Sequence, residues 1–266
     1  MRFAARKIRS KLEVGKHALG VTIQLPNPDT VEIAGLAGLD YVWIDAEHGG
    51  IDFSDIVSLI RAADAVQIDS IVRVPDHSAS FIQRVLDAGA TGLMVPHVRT
   101  AEEGAALAAA ARYAPEGVRG ACPAIRSVGH LTTEWPVAYR RANQEVLVFG
   151  LIEDLDGVEN VEAIAKSGLD GLVFGPFDLA QSLGLDGDIT HPDIVKMHSR
   201  VVAAANDADI QYVGILGWDP CGTDELLRNS RIINITGDRG MLFVGFSQAV
   251  TDISSQAADL LVGADQ

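Results

Sequence analysis

Residues 38–74 read GLDYVWIDAEHGGIDFSDIVSLIRAADAVQIDSIVRV. A short β-rich apolar run, Tyr41–Asp45, gives way to an Ala/Leu-rich helical segment, Ser54–Ala65, and then to a second apolar run, Ser70–Val74. Strand, helix and strand in that order are the signature of parallel strands joined by crossover helices. Outward from this unit the pattern repeats. Further strand-like runs lie at Leu19–Leu25, Gly92–Val95, Val146–Ile152, Gly171–Phe174, Gln211–Leu216 and Ile232–Thr236, eight in all. Helical stretches fall between them at Ser78–Asp87, Ala101–Arg112 and Gly157–Lys166, several preceded by Ser, Thr or Asp suited to N-capping. The turns Gly38-Leu39-Asp40 and Gly168-Leu169-Asp170 end helices as glycine at a C-cap does. Eight strands alternating with helices in 266 residues predict an α/β fold, a single-domain (β/α)8 TIM barrel over residues 1–266, with an open doubly wound sheet as the alternative topology. Residues 113–143 break the rhythm. Their opening, YAPEGVRGACPAIRSVGH, reads as a long loop, and long loops inside compact domains usually carry function.

Composition narrows the function classes. With 48% hydrophobic residues the chain can bury one large core. A formal net charge of −15 repels a phosphate backbone and an anionic membrane surface, so neither nucleic acid nor membrane is an expected partner. Two cysteines, Cys122 and Cys221, far apart and without CxxC spacing, give no disulfide framework and point to a reduced, cytoplasmic protein. The basic start, MRFAARKIRSKLEVGKHALG, lacks an apolar run of signal-peptide length and is expected to form an amphipathic first helix.

In a parallel barrel the active site lies at the carboxyl ends of the strands, so the residues to examine are polar ones that abruptly follow apolar runs. The second strand ends Trp43-Ile44-Asp45-Ala46-Glu47-His48-Gly49-Gly50, the third Val72-Arg73-Val74-Pro75, the fifth Leu151-Ile152-Glu153-Asp154, and the sixth runs into Gly175-Pro176-Phe177-Asp178. Glu153 and Asp178 offer hard carboxylate oxygens suited to Mg²⁺ or Mn²⁺. Each on its own could equally cap the helix that follows. His48, beside two carboxylates and followed by two glycines that allow close backbone approach, has the character of a general base; the other six histidines carry no comparable context. Arg73 emerges from an apolar run, where its guanidinium needs an anion: a carboxylate substrate, or an internal partner on the barrel. Arg119 and Arg126 in the long loop could meet an acidic substrate tail or form ion pairs. All five lysines, Lys7, Lys11, Lys16, Lys166 and Lys196, lie at the N-terminus or in predicted helices, which argues against a Schiff-base mechanism.

The segments WIDAEHG, VRVP, LDAGATGLMVPHVRTAEE, RYAPEGVRG, LIED followed by GVENVEAIA, and GPFDLAQSLG resemble the class II pyruvate-dependent hydroxyketoacid aldolases, of 4-hydroxy-2-oxoheptanedioate and 2-keto-3-deoxy-L-rhamnonate aldolase type. The resemblance covers nearly the whole chain, and the combination of motifs is specific where any one alone is weak. It implies that His48 is the acid/base, that Arg73 stabilises the enolate, and that Glu153 and Asp178 bind one divalent ion per subunit, Mg²⁺, Mn²⁺ or Co²⁺. Asp45 is implied to orient His48, and Asp87 to raise its basicity across a subunit boundary. Arg73, Gly175, Phe177 and Asp178 are implied to line the site for a ketoacid and an aldehyde. Family members are typically homohexamers in which the last helix swaps to a neighbour, here Met241–Ala257. Two departures stand out: Leu151 where many members have a Gln that contacts the ketoacid, and Phe177 where a small residue is usual. Leu151 with RVPDH and PHVRTAEE also resembles a branch that includes macrophomate synthase. The expected activity is aldol addition of a pyruvate or hydroxypyruvate enolate to an aldehyde, with cleavage of 4-hydroxy-2-oxoacids in reverse. The alternatives are an oxaloacetate decarboxylase or macrophomate-synthase-like enzyme using the same enolate, and a catalytically silent barrel that binds a ketoacid.

Overall fold

Alternation along each strand decides what reaches the site. The structure, a computed structural model, describes residues 6–263, with side chains to residue 257. Its strands are β1 (Ala18–Ile23), β2 (Tyr41–Asp45), β3 (Asp69–Arg73), β4 (Gly92–Val95), β5 (Leu147–Ile152), β6 (Gly171–Phe174), β7 (Gln211–Ile215) and β8 (Ile232–Gly237). Each pairs in parallel with the next, and β8 closes onto β1, so the closed barrel holds and the open sheet does not. On β2, Tyr41 and Trp43 pack inside the barrel while Val42 and Ile44 join the layer beneath the helices. On β5, Leu147, Phe149 and Leu151 point inward, Val148 and Ile152 outward. Because side chains alternate with a period of two, the next inward positions at the carboxyl ends are Asp45 and Glu153, and on β3 the same count from Ile71 gives Arg73. Polar groups thus stand on an apolar floor in which Trp43, Leu151 and Val173 are at most 3% exposed.

The opposite end of the barrel is sealed. The helix Lys7–Glu13 inserts Ile8, fully buried, into the interior cluster. The carboxylate of Asp69 at the start of β3 accepts the backbone N–H groups of Arg6 and Ile8 at 2.9 and 2.8 Å, an anion at a helix N-terminus. Burial nevertheless pushes the Asp69 carboxyl up to about 6. This is the first helix expected from the basic N-terminal segment; residues 1–5 lie outside the described residues.

The segment read as one long loop is more ordered than its Pro and Gly content suggests. It holds a 3-10 turn at Arg126–Val128, and the helix Trp135–Glu145 starts within it, with Pro136 in its first turn. Trp135 meets the Tyr113 ring edge-on at 5.1 Å, and Asn143 accepts the Tyr113 N–H and donates to its carbonyl. Arg119 pairs with Asp87 at 2.6 Å and Arg126 with Asp64, so both arginines form ion pairs within the chain. The last helix, Asp238–Gly263, meets β1 and β8 at its start and then leaves the barrel. Phe243, Val244 and Phe246 on it are 73%, 64% and 69% exposed. Among the described residues, no helix is long and apolar enough to cross a membrane.

Candidate active site

A cavity of ≈ 630 Å³ opens at the carboxyl ends of the strands, and its walls include Asp45, His48, Arg73, Leu151, Glu153, Gly175, Phe177 and Asp178. At its base Arg73 grips Asp45 with both arms of its guanidinium, Nε to Oδ1 at 2.9 Å and Nη2 to Oδ2 at 2.7 Å. The same side chain reaches Glu47 through Nη1 at 3.1 Å. Of the two anions considered for Arg73, the structure supplies the internal one, while the guanidinium still borders the cavity. Burial alone would raise the fully enclosed Asp45 carboxyl, but the hydrogen bonds and charge of Arg73 outweigh it and hold the group below the ordinary carboxylate range. Gln24 at the end of β1 also donates to Asp45, at 2.9 Å.

His48 stands in the loop after β2 with its ring 60% exposed and Nε2 3.7 Å from Glu47 Oε2. Asp45 orients this residue differently from expectation. Its Oδ1 accepts the backbone N–H groups of Glu47 and His48, each at 3.2 Å, so the carboxylate fixes the loop rather than gripping the imidazole. Asp87 lies apart from the cavity within one chain, at the end of the helix Ala79–Ala88, where its partner is Arg119.

On the opposite wall Glu153, 4% exposed, accepts the backbone N–H of His97 at 3.0 Å. Burial is the main force that drives the Glu153 carboxyl up to about 7; His97 opposes it, and the charges of Glu47 and Asp178 add to it. Glu153 and Asp178 therefore share one electrostatic environment. Neither caps a helix through its side chain: Asp154 occupies the N-cap before Leu155–Glu159, and Gly175 the N-cap before Pro176–Ser182. Gly175 explains how the Glu153 side chain fits, since a Cβ there would stand 2.6 Å from Glu153 Cβ and 2.8 Å from its Oε2.

His97 corrects the reading that His48 alone among the histidines has functional context. Its Nδ1 lies 2.9 Å from Asp154 and 3.4 Å from Glu153, and its Nε2 is 4.0 Å from Glu47. Burial would lower its pKa, yet the Asp154 hydrogen bond and the surrounding carboxylates raise it. The signal was present in the sequence, because Pro96-His97 directly follows the apolar run of β4. Glu47, Glu153 and His97 bring one ligand atom each to within 4.8 Å of one another. Of these Glu153 lines the cavity, as does Asp178. Glu47 Oε2 is buried, and the charge it meets is that of Arg73 Nη1 at 3.1 Å. Clustered carboxylate oxygens and a glycine that makes room for Glu153 fit a divalent cation.

The remaining wall is aromatic. Phe177 lines the cavity, and its ring packs edge-on against Trp218 at 5.8 Å and covers Gly187. Leu151, 2% exposed, belongs to the interior cluster and gives the cavity an apolar floor where an amide would have hydrogen-bonded.

The family described as HpcH/HpaI aldolase/citrate lyase matches residues 19–245 of this chain. The chain belongs to the HpcH/HpaI aldolase/citrate lyase family. It is similar to the 5-keto-4-deoxy-D-glucarate aldolase of Klebsiella pneumoniae, 36% identical over 200 residues that make up 75% of this chain and 77% of that protein. Among solved structures, an HpcH/HpaI family protein from Burkholderia cenocepacia superposes with a TM-score of 0.85 at 31% identity, covering 94% of this chain and 99% of the other. Macrophomate synthase superposes with a TM-score of 0.80 at 27% identity, covering 96% and 92%. These likenesses make the protein an enzyme of an aldolase and lyase family on a closed eight-stranded barrel, which agrees with the class II aldolase resemblance in the sequence.

Proposed function

We propose that this HpcH/HpaI family member is a divalent-metal-dependent aldolase that forms the enolate of pyruvate or hydroxypyruvate and adds it reversibly to an aldehyde, cleaving 4-hydroxy-2-oxoacids in the reverse direction. The observation that carries the reading is the convergence of Arg73, His48, Glu153 and Asp178 on one cavity, with Glu153 held near 7 by burial and neighbouring carboxylates. Glu153 and Asp178 are assigned as the ligands of Mg²⁺, Mn²⁺ or Co²⁺, with Glu47 and His97 as the groups around them. The cation, when bound, supplies Lewis-acid polarisation of the 2-oxo group. Arg73, fixed by Asp45, presents positive charge to the oxygen on which the enolate charge develops. His48, free on its outer side, takes the methyl proton in the addition direction and the 4-hydroxyl proton in cleavage, directly or through a water molecule. The apolar floor around Leu151 excludes water from the enolate.

Chelated protein assayed for pyruvate release from a 4-hydroxy-2-oxoacid is expected to be inactive and to recover on addition of Mn²⁺. Full activity in the chelated state would overturn the proposal. The structural likeness to macrophomate synthase, together with Leu151, supports a second reading in which the enolate arises by decarboxylation of oxaloacetate. Pyruvate release from oxaloacetate, measured with and without an aldehyde acceptor, separates the two. We also infer a homo-oligomer, a hexamer by family resemblance, in which the exposed apolar side chains of the helix Asp238–Gly263 are covered by another subunit. That assembly would give Asp87 a route to a neighbouring site.

A further inference from the structure

A second group of donor atoms lies outside the barrel, between the helix Pro192–Asp207 and the turn that follows β7. His198, 1% exposed, projects from that helix. Its Nε2 shares a 2.9 Å hydrogen bond with the hydroxyl of Tyr212 on β7, and its Nδ1 lies 3.5 Å from the sulfur of Cys221. In the same turn Asp219 accepts the Cys221 backbone N–H through Oδ1 at 2.9 Å. Its other oxygen, Oδ2, is buried and lies 3.2 Å from His198 Nε2, the nitrogen that also meets Tyr212. The three side chains each bring one donor atom to within 4.8 Å of the others. Beside them opens a cavity of ≈ 230 Å³ that Glu225 also lines.

Two chemistries use a histidine, a carboxylate and a cysteine in contact. A nucleophilic thiol needs its anion stabilised before it can attack. Here burial and the charges of Asp219 and Glu225 push the Cys221 thiol up, which is the wrong direction for a nucleophile. A dication reverses that balance, because it is attracted by the same carboxylates that oppose the thiolate. The spacing fits as well. Zn–N and Zn–S bonds of roughly 2.0 and 2.3 Å place a nitrogen and a sulfur on one tetrahedral ion about 3.5 Å apart. Tyr212, by engaging Nε2, leaves the Nδ1 lone pair directed at the sulfur, as an outer partner of a metal-bound imidazole does. Asp219, with a carboxylate oxygen within 4.8 Å of a His198 nitrogen and the Cys221 sulfur, provides the third donor.

We propose that His198, Asp219 and Cys221 form a binding site for a zinc-type divalent cation, distinct from the catalytic cavity. Binding exchanges the thiol proton, released to solvent, for the metal–sulfur bond. The turn concerned, residues 217–222, is bounded by Gly217 and Gly222 at φ +81° and +84°. It also carries Trp218, which walls the catalytic cavity and packs on Phe177. A cation here ties that wall to the helix Pro192–Asp207 and sets the position of the aromatic pair.

The test is a titration of the full-length, chelator-stripped protein with Co²⁺, read by the thiolate-to-cobalt charge-transfer absorption that oxygen-donor sites do not give. Saturating Co²⁺ is expected to produce the band in the wild type and equally in Glu153→Gln, and Zn²⁺ is expected to displace it. Cys221→Ser, a conservative change at an exposed residue, should abolish the band, and Asp219→Asn should weaken cobalt affinity at least tenfold; thermal melts check that both variants are folded. Absence of the band in the wild type, its survival in Cys221→Ser, or its loss in Glu153→Gln would each overturn the assignment. So would alkylation of Cys221 that is faster than that of Cys122 and unprotected by zinc, which would mark a free nucleophile.

Discussion

Replacing Gly175 by alanine tests the catalytic site through a single methyl group. Gly175 has φ −100°, where an L residue is unstrained, so the backbone itself accepts the change. The new Cβ would lie 2.6 Å from Glu153 Cβ and 2.8 Å from Oε2. Ordinary contact begins at 3.4 Å, so Glu153 must retreat by about 0.8 Å or the chain must part by as much. Overpacking of this kind costs roughly 1–3 kcal/mol, which in a chain of this size lowers the melting temperature by several degrees. The effect on the cation should be larger in proportion, because metal–ligand distances tolerate only about 0.2 Å. Metal affinity is expected to fall by roughly 10–100-fold, with the rate following at limiting metal. The assay is pyruvate release from a 4-hydroxy-2-oxoacid across a Mn²⁺ titration, paired with thermal melts of the metal-free protein. A variant that melts cooperatively but keeps wild-type metal affinity and rate would refute the placement of the cation against Glu153.

Four further outcomes follow from the structure. His48→Ala should leave stability within about 0.5 kcal/mol, since its ring is 60% exposed, yet reduce turnover by roughly 10²–10⁴-fold. Arg73→Ala should do both kinds of damage, because it strands the fully buried Asp45 carboxylate at a cost of about 3–5 kcal/mol; denaturant melts and turnover measured together distinguish the two variants. In metal-free protein Glu153 is raised from 4.5 to about 7, so the fold favours its protonated form. That contribution is complete below the unfolded value and is lost as pH rises through about 7; stability should decline over this window by on the order of 2–3 kcal/mol more in the wild type than in Glu153→Gln. Added Mn²⁺ should flatten the wild-type profile, and equal slopes in the two chelated proteins would contradict the assignment. Finally, Phe243→Asp combined with Phe246→Asp, on the exposed face of the last helix, should give a smaller species by sedimentation, whereas an unchanged mass would count against that helix as the interface.

The barrel was legible because a parallel strand buried on both faces writes itself as an unbroken apolar run, and the position where the run ends is where the active site begins. Asp45, Arg73 and Glu153 were found by that rule, and the structure brings them to one cavity. His97 obeys the rule too, yet β4 has only four residues and a proline separates it from the histidine, which disguises the strand end as a turn. Partnership was harder to read than position. That Arg73 is held by Asp45, and that Asp45 meets the His48 loop through the backbone, depends on distances between β2, β3 and the loop that no spacing along the chain encodes. The helix Trp135–Glu145 was hidden by the prolines and glycines before it, and by Asn143 tying its end back to Tyr113. The cluster at His198 was unreadable for the same reason, since its members are 23 residues apart and meet only across a helix and a turn.

The Ile8 plug also dictates traffic. With that residue sealing one end and Tyr41, Phe149 and Ile71 filling the bore, the chamber above them is closed below, with Phe177 and Trp218 among its walls. On the proposed function, a ketoacid seated against Arg73 and Glu153 would occupy the dead end, and an aldehyde entering afterwards would stand between it and the exit. Release is then last in, first out, and aldehyde should inhibit the cleavage reaction noncompetitively while pyruvate competes with the 4-hydroxy-2-oxoacid.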